Sequence, residues 1–478
     1  MRPRLELLDK ALVGRVLDEA FQLLRDPGVR VADAAVDLLA SSDVRVENGV
    51  ARIPEALARN ALAHAPREFW LHTREGRPTV HYGGDDVCFD PGSSCLNILD
   101  AESQQPRPAM AADLVRLVQV VETLPQYGAQ STAMVCNDVP QEIGDLYRLF
   151  LVLWHSSKPV VTGSFSAPGL KPMLELLAAE AGGPEALRSA PRAVFDVCPS
   201  PPLNWSEFAA ENLMELARAG VPAEIVSMPL AGATAPVTLA GAVVQHAAEC
   251  ISGITIHQLA SPGAPIVWGG APAIFDMRSG TTPMGAIETV MLDLACAQVG
   301  KSLGLPTHAY LVAGDGKLVD AQAGMESGMS CVLGALAGIN MISGAGMLDF
   351  LACHSIEKLV IDAEAIASAQ RLLEGVQGRG ETLATAAFAE AGLAGDFLKL
   401  KETRARFRQE QHFPSSVIER GGPQSQGLSD TFGRARRRAD ELRSSYQRPV
   451  MRPEIERELR KIAERELGRC GRATLIGV

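Results

Sequence analysis

The sequence has no surplus of basic charge. Its 45 Lys and Arg are outnumbered by 56 Asp and Glu, giving a net charge of −11. Phosphate backbones are bound by clustered cations, so no nucleic-acid partner is expected. The basic run at residues 434–438 is broken by Ala435 and followed by Asp440 and Glu441, which reads as a solvated helix face. No two cysteines stand at Cys-x-x-Cys spacing. The nine cysteines are scattered and odd in number, which argues against a disulfide framework and for reduced thiols in the cytoplasm. No stretch approaches ~18 uninterrupted apolar residues, so no membrane span is expected. The first ten residues turn acidic before any apolar run and do not form a secretory signal.

Common catalytic signatures are also missing. There is no Gly-x-Ser-x-Gly elbow, no Gly-x-Gly-x-x-Gly after the first strand of the main repeat, and no compact His and Cys set for zinc. Only His354, beside Cys353, lies within three residues of a cysteine. Neither a metal nor a tightly bound cofactor is expected. Aromatics make up 5% of the chain, so each one near a strand end is a candidate for contact with a ligand.

What is present is an alternation. Residues 1–108 read as an accessory layer. It has helical stripes at 12–24 and 31–39, a hairpin at 44–53 around Asn48-Gly49, and short strands at 68–72 and 79–82. From residue 109, short apolar runs alternate with amphipathic stretches. Eight runs lie at 128–135, 159–165, 193–198, 223–229, 265–270, 307–314, 339–344 and 358–361. Near-continuous apolar strands alternating with helices imply a parallel sheet covered by helices. Eight such units imply an α/β fold of the (β/α)8 TIM-barrel type over residues 109–365. An open doubly wound sheet is the alternative. Residues 366–478 read as a helical extension, with a loop at 415–429.

In such a barrel, reactive groups sit at the C-terminal strand ends. That limits the search to a few segments: 163–166, 196–202, 229–238, 268–278, 314–326 and 344–354. Asp320, Gln322 and Glu326 follow the sixth strand and either line a pocket or cap the next helix. Phe195, Trp268, Tyr310 and Phe350 are aromatic candidates for holding a cation, and His354 for holding a carboxylate. Lys317 is a candidate Schiff-base lysine, although its Gly-flanked loop suits that chemistry poorly.

Several ordered segments then stand out: 201–203, 228–241, Gln258 with 262–265, 276–280, Glu288, 320–324 with Glu326, and 359–362 with Glu364. With residues 91–125, including Asp100 and 106–108, they resemble the trimethylamine methyltransferase family, in its glycine-betaine and quaternary-amine branch. The resemblance implies transfer of a methyl group from a methylated amine to the Co(I) of a corrinoid on a separate protein. It implies no cofactor held by this chain, and a homo-oligomer. A quaternary ammonium leaves as a neutral amine, so no general acid is needed, and the enzyme's task is alignment and exclusion of water. Archaeal trimethylamine enzymes of the family carry pyrrolysine. This chain has none, which favours a quaternary amine such as glycine betaine over trimethylamine. Asp320, Gln322 and Lys317 are the expected catalytic group, with Phe195, Trp268, Tyr310, Glu326, Phe350 and His354 around the substrate. A Schiff-base lyase using Lys317 and a non-catalytic binding barrel are the alternatives.

Overall fold

A computed structural model describes residues 2–165, 169–422, 429–471 and 474–478. Ser166, in one expected strand-end segment, and part of the loop expected at 415–429 lie outside the described residues.

Eight strands carry the architecture: β1 Cys88–Pro91, β2 Gln130–Ser131, β3 Val160–Gly163, β4 Ala193–Val197, β5 Ala223–Ser227, β6 Ile266–Gly270, β7 His308–Tyr310 and β8 Met341–Ala345. They form two parallel sheets, one in the order β6-β5-β4-β3-β2 and the other β7-β8-β1. The sheets touch at both ends. Trp268 of β6 makes a parallel bridge with Thr307, just before β7. On the other side the Gly128 N–H donates to the Phe89 carbonyl at 3.1 Å, and Cys95 bridges Met134 in parallel.

Strands β4 and β5 are buried along their whole length, as their largely apolar character requires when both faces are covered. Helices supply the outer cover: α2 Ala111–Thr123, α3 Gly144–His155, α4 Leu170–Ala181, α5 Glu207–Ala219, α6 Leu239–Ala260, α7 Ile287–Ser302, α8 Ala321–Ala337 and α9 Ile356–Leu373. Ser206, Thr238, Asp320 and Ser355 cap the N-termini of α5, α6, α8 and α9 with side-chain oxygens. Among the described residues only α6 is long and apolar enough to cross a membrane. Yet 83% of its apolar window is buried inside the protein, which marks it as a core helix.

The expected strand at 358–361 is helical, lying inside α9. So short a run, three apolar residues after Lys358, does not distinguish strand from helix, and the Ser355 side chain, accepting from the Lys358 N–H, starts a helix there. The eighth strand is instead β1, which pairs in parallel with β8. It lies on the N-terminal side of the boundary expected after residue 108, so the sheet draws on the segment read as accessory.

The rest of that segment follows its sequence pattern. The N-terminal helix Lys10–Arg25 is capped by Asp9 and buries Val13, Val16, Ala20, Phe21 and Leu24. The hairpin Arg45–Glu47/Val50–Arg52 turns through Asn48 and Gly49, both at positive φ, as a two-residue type I′ turn requires. At the C-terminus, Thr431–Ser445 packs on α9 and α2, and Pro453–Arg469 on α4 and α3.

Candidate active site

Side chains alternate across a strand, and cluster membership shows which face is which. Phe195, Ile225, Trp268 and Ala309 join the large core between strands and helices. Their neighbours Val194 and Val267 join a different cluster, with Val161, Met341 and Tyr82, on the inner side. By the same alternation Asp196, Glu224, His308, Tyr310, Ser343 and Asp90 point inward. Asp196 stands opposite Glu224 in register, and Tyr310 opposite Ser343.

These inward groups form a connected polar layer. Tyr310 Oη donates to Asp196 Oδ2 at 3.3 Å, and Tyr82 Oη to Glu224 Oε2 at 3.3 Å. His308 Nε2 lies 3.0 Å from Ser343 Oγ, which donates to Asp90 Oδ1 at 2.5 Å. His308 Nδ1 stands 3.2 Å from Glu224 Oε1. Burial lowers the His308 pKa to about 3, so this contact joins a neutral imidazole to a carboxyl and is not an ion pair. Burial pushes Glu224 well above the ordinary carboxylate range, and the neighbouring Asp196 charge adds to the effect. Asp90 is likewise raised by burial. Asp196 is raised by burial to about 7, with hydrogen bonds from Glu224 and Tyr310 favouring its charged form. Glu224 therefore keeps its proton and Asp196 is the carboxyl that ionises near neutrality. Asp196 and Tyr310 each retain 7% exposure, whereas Asp90 and Glu224 have none.

Above this layer the strand ends are apolar and rich in sulfur: Cys95, Val226, Met284, Tyr310, Ala313 and Met347 cluster together, with Cys198 and Leu351 beside them. Gly269 is forced by the layer below. A Cβ there would lie 2.8 Å from the Ile225 carbonyl oxygen and 2.9 Å from His308 Nδ1, so only glycine lets β6 pass the imidazole.

Backbone strain gathers at the same end. Val312, Asp349, Phe350 and Leu351 all adopt positive φ, between 50° and 72°, a region costly for β-branched and bulky residues. Val312 is held by the Ser330 hydroxyl on its N–H (3.0 Å) and by Ser327 Oγ and Lys358 Nζ on its carbonyl (both 3.0 Å). Lys358 also donates to Ser327 Oγ and Asp362 Oδ2, both at 2.7 Å, and Asp362 Oδ2 accepts the Gly346 N–H at 2.7 Å. One buried ion pair thus fixes the loops that leave β7 and β8.

Of the residues expected from sequence, only Tyr310 reaches the inner layer. Phe195 and Trp268 face the helices, with Trp268 Nε1 donating to the Cys296 carbonyl at 2.9 Å. Asp320 is exposed and caps α8, accepting from the Gln322 and Ala323 N–H groups. Gln322 donates to Glu326 (2.8 Å), and Glu326 accepts the Asp315 N–H (2.8 Å), so both brace the loop after β7. Lys317 pairs with Asp349 and lies over the Phe350 ring at the outer edge, its side chain 68% exposed. His354 is fully buried behind β8, its pKa lowered to about 3 by burial and the nearby Lys358 charge. Replacing Trp268 with Phe is expected to cost about 1 kcal/mol of stability through the lost hydrogen bond and to leave ligand affinity unchanged. Thermal melts and ligand titration of the variant check this, and a tenfold loss of affinity would return Trp268 to the site.

Asp90, Asp196, Glu224 and His308 were not singled out from sequence. A signal was present: Asp196 and Glu224 interrupt otherwise apolar buried strands, where an acidic group needs a reason. Among the described residues, no three His, Cys, Asp or Glu side chains are grouped as a metal ion would require.

A family profile described as trimethylamine methyltransferase matches residues 1–469. Trimethylamine methyltransferase MttB1 of Methanosarcina mazei is 32% identical over 394 residues, 80% of this chain and 79% of that protein. Trimethylamine methyltransferase MttB of Desulfitobacterium hafniense is 28% identical, across 93% of this chain and 90% of its own length. The glycine betaine methyltransferase of that species is 27% identical, across 97% and 98%. Among solved structures, the monomethylamine methyltransferase MtmB of Methanosarcina barkeri superposes with a TM-score of 0.52, covering 98% of this chain and 90% of that one. At 12% identity this bears on fold alone.

Proposed function

The chain belongs to the trimethylamine methyltransferase family, and from that premise we propose that it takes a methyl group from a quaternary ammonium and delivers it to the Co(I) of a corrinoid on a separate protein. The observation that carries this reading is the inner layer, where one ionisable carboxylate, Asp196, lies against a tyrosine beneath buried apolar strand ends. A methylated cation is stabilised by such a carboxylate and by the face of Tyr310. The sulfur-bearing and aliphatic walls exclude water, which strengthens both interactions. No side chain has to donate a proton, because the leaving amine departs neutral.

The fold supports the reading in two ways. The eight parallel strands are read as one closed (β/α)8 barrel from about residue 88 to about 365, its two sheets joined at the Trp268–Thr307 and Cys95–Met134 bridges. Its strand ends would form the floor of the site. Around that end, Leu96, Val135, Phe165, Met228, Met277 and Leu318 are exposed apolar side chains on the loops after β1, β2, β3, β5, β6 and β7. A ring of this kind suits a protein partner, and methionine suits one that docks and leaves. The corrinoid would supply the nucleophile; this chain supplies binding, alignment and dryness.

A Schiff-base lyase finds no support in Lys317, which is exposed and ion-paired. The buried Lys358 spends its donors on Val312, Ser327 and Asp362. The test is to mix the protein with a reduced corrinoid carrier and a panel of quaternary amines, and to follow methyl-cobalt formation by absorbance. Methylation that requires both protein and amine is expected. If no methylated amine supports it, the activity is refuted.

A further inference from the structure

Cationic side chains in the strand-end loops are already matched to carboxylates of their own. Arg148 is buried and donates to Asp145 Oδ1 (2.7 Å), Ser94 Oγ (2.9 Å) and the Thr132 carbonyl (3.0 Å). Arg107 is clamped on Asp113 by two bonds of 2.7 and 2.8 Å. Lys317 pairs with Asp349, Arg278 with Asp276 (3.3 Å), and Lys358 with Asp362 (2.7 Å). Lys171 opens away from the mouth, onto the outer cleft shared with Glu175 and Glu211. The helix starts of α6, α8 and α9 are already capped by Thr238, Asp320 and Ser355. Residues 166–168, by sequence, are Ser, Ala and Pro.

Asp196, Glu224 and Asp90 share the inner layer with no cation among the described residues beside them, since His308 is neutral there; burial keeps Glu224 and Asp90 protonated, so the negative charge of the layer is that of Asp196. Asp315 adds a fourth at the mouth, accepting the Met284 and Gly285 N–H groups. A ligand carrying its own carboxylate would bring that group near the Asp196 charge among apolar strand ends, with no free cation among the described strand-end residues to receive it, at a cost of unpaired buried charge.

Resting on the activity proposed above, we infer that the substrate is a methylated onium without an anionic group, such as a tetraalkylammonium or a hydroxyalkyl-trimethylammonium, and that Asp196 makes the selection. Zwitterionic betaines are rejected because their carboxylate meets the Asp196 charge and no free cation. The remainder of the substrate beyond the ammonium is uncharged and lies against Val226, Met284 and Met347.

Calorimetric titration of the full chain with tetramethylammonium, choline and glycine betaine tests this without the corrinoid. Tetramethylammonium or choline should bind at least tenfold more tightly than glycine betaine. Asp196→Asn should remove most of that preference while circular dichroism shows the fold retained. Should this variant fold poorly, Tyr310→Phe, which frees Asp196 of its hydrogen bond, should still leave the order of affinities unchanged. Equal or tighter binding of glycine betaine overturns the inference while leaving the methyl-transfer reading intact. Binding of none of the three, together with no methylation of the corrinoid carrier by any of them, removes that reading and this inference with it.

Discussion

Changing Asp196 to Asn is expected to weaken binding of a quaternary cation by about 2–5 kcal/mol, which is roughly thirtyfold to several thousandfold. The substitution keeps the shape and can still accept from Tyr310 Oη, so the loss isolates the charge. Because an incompletely paired buried charge disappears, stability should hold or rise. Affinity within threefold of the parent would refute the role. The same residue sets a pH dependence. Its pKa is raised by burial to about 7, and a cation binds the ionised form, so affinity should climb as pH rises through 7. At pH 6 it should be about tenfold below its limit. Titration in buffers of different ionisation enthalpy should reveal about one proton released per cation bound at pH 6. The stability effect has the opposite sign. The folded chain retains a proton on Asp196 up to about pH 7 that the unfolded chain sheds near 3.8. The unliganded protein therefore loses stability as pH rises across that window, and bound cation should offset the loss. Affinity independent of pH between 6 and 8 would show that Asp196 does not face the ligand.

The second large effect belongs to Lys358. Lys358→Met should destabilise the fold by about 3–5 kcal/mol, because it leaves the Asp362 carboxylate buried without its cation, with the Gly346 N–H and Ser327 beside it, and removes one of the two donors on the Val312 carbonyl. Adding Asp362→Asn should recover part of the loss, since the stranded charge is then gone. Thermal and urea unfolding of the single and double variants measure this. A cost below 1 kcal/mol for the single change would mean that water or rearrangement satisfies Asp362, and that the loops after β7 and β8 are not pinned there.

The long elements were legible in the sequence because their patterns are long. Leu170–Ala181 and Glu207–Ala219 lie where the 3.6-residue period and the flanking turns placed them. The Asn48-Gly49 turn was legible because its backbone demands those residue types. What misled was brevity. At 358–361 three apolar residues after a lysine fitted either period, and at 88–91 the strand Cys-Phe-Asp-Pro carried an acid and a proline that resembled a turn. The site was harder to read, because strand-end position alone does not say which face a side chain takes. Phe195 and Asp196 are neighbours, so they must point oppositely, and the aromatic went to the helices while the acid went inward. The aromatic at β4 and Trp268 at β6 both face the helices, whereas Tyr310 reaches the inner layer because β7 places its inward side chains at 308 and 310.

The pairing of β1 with β8 also bears on how the chain is made. Ser343 and Asp90, which meet across that seam, are 253 positions apart in sequence. A strand translated early must wait for its partner. At about 5–20 residues per second, β1 emerges roughly 10–50 s before β8 does. Until then the apolar edge of β1 has no neighbour on that side, and contacts of such long range make folding slow. The nascent chain thus carries an open, sticky strand for most of its synthesis. That predisposes it to associate with chaperones, or with other unfinished copies, until β8 arrives.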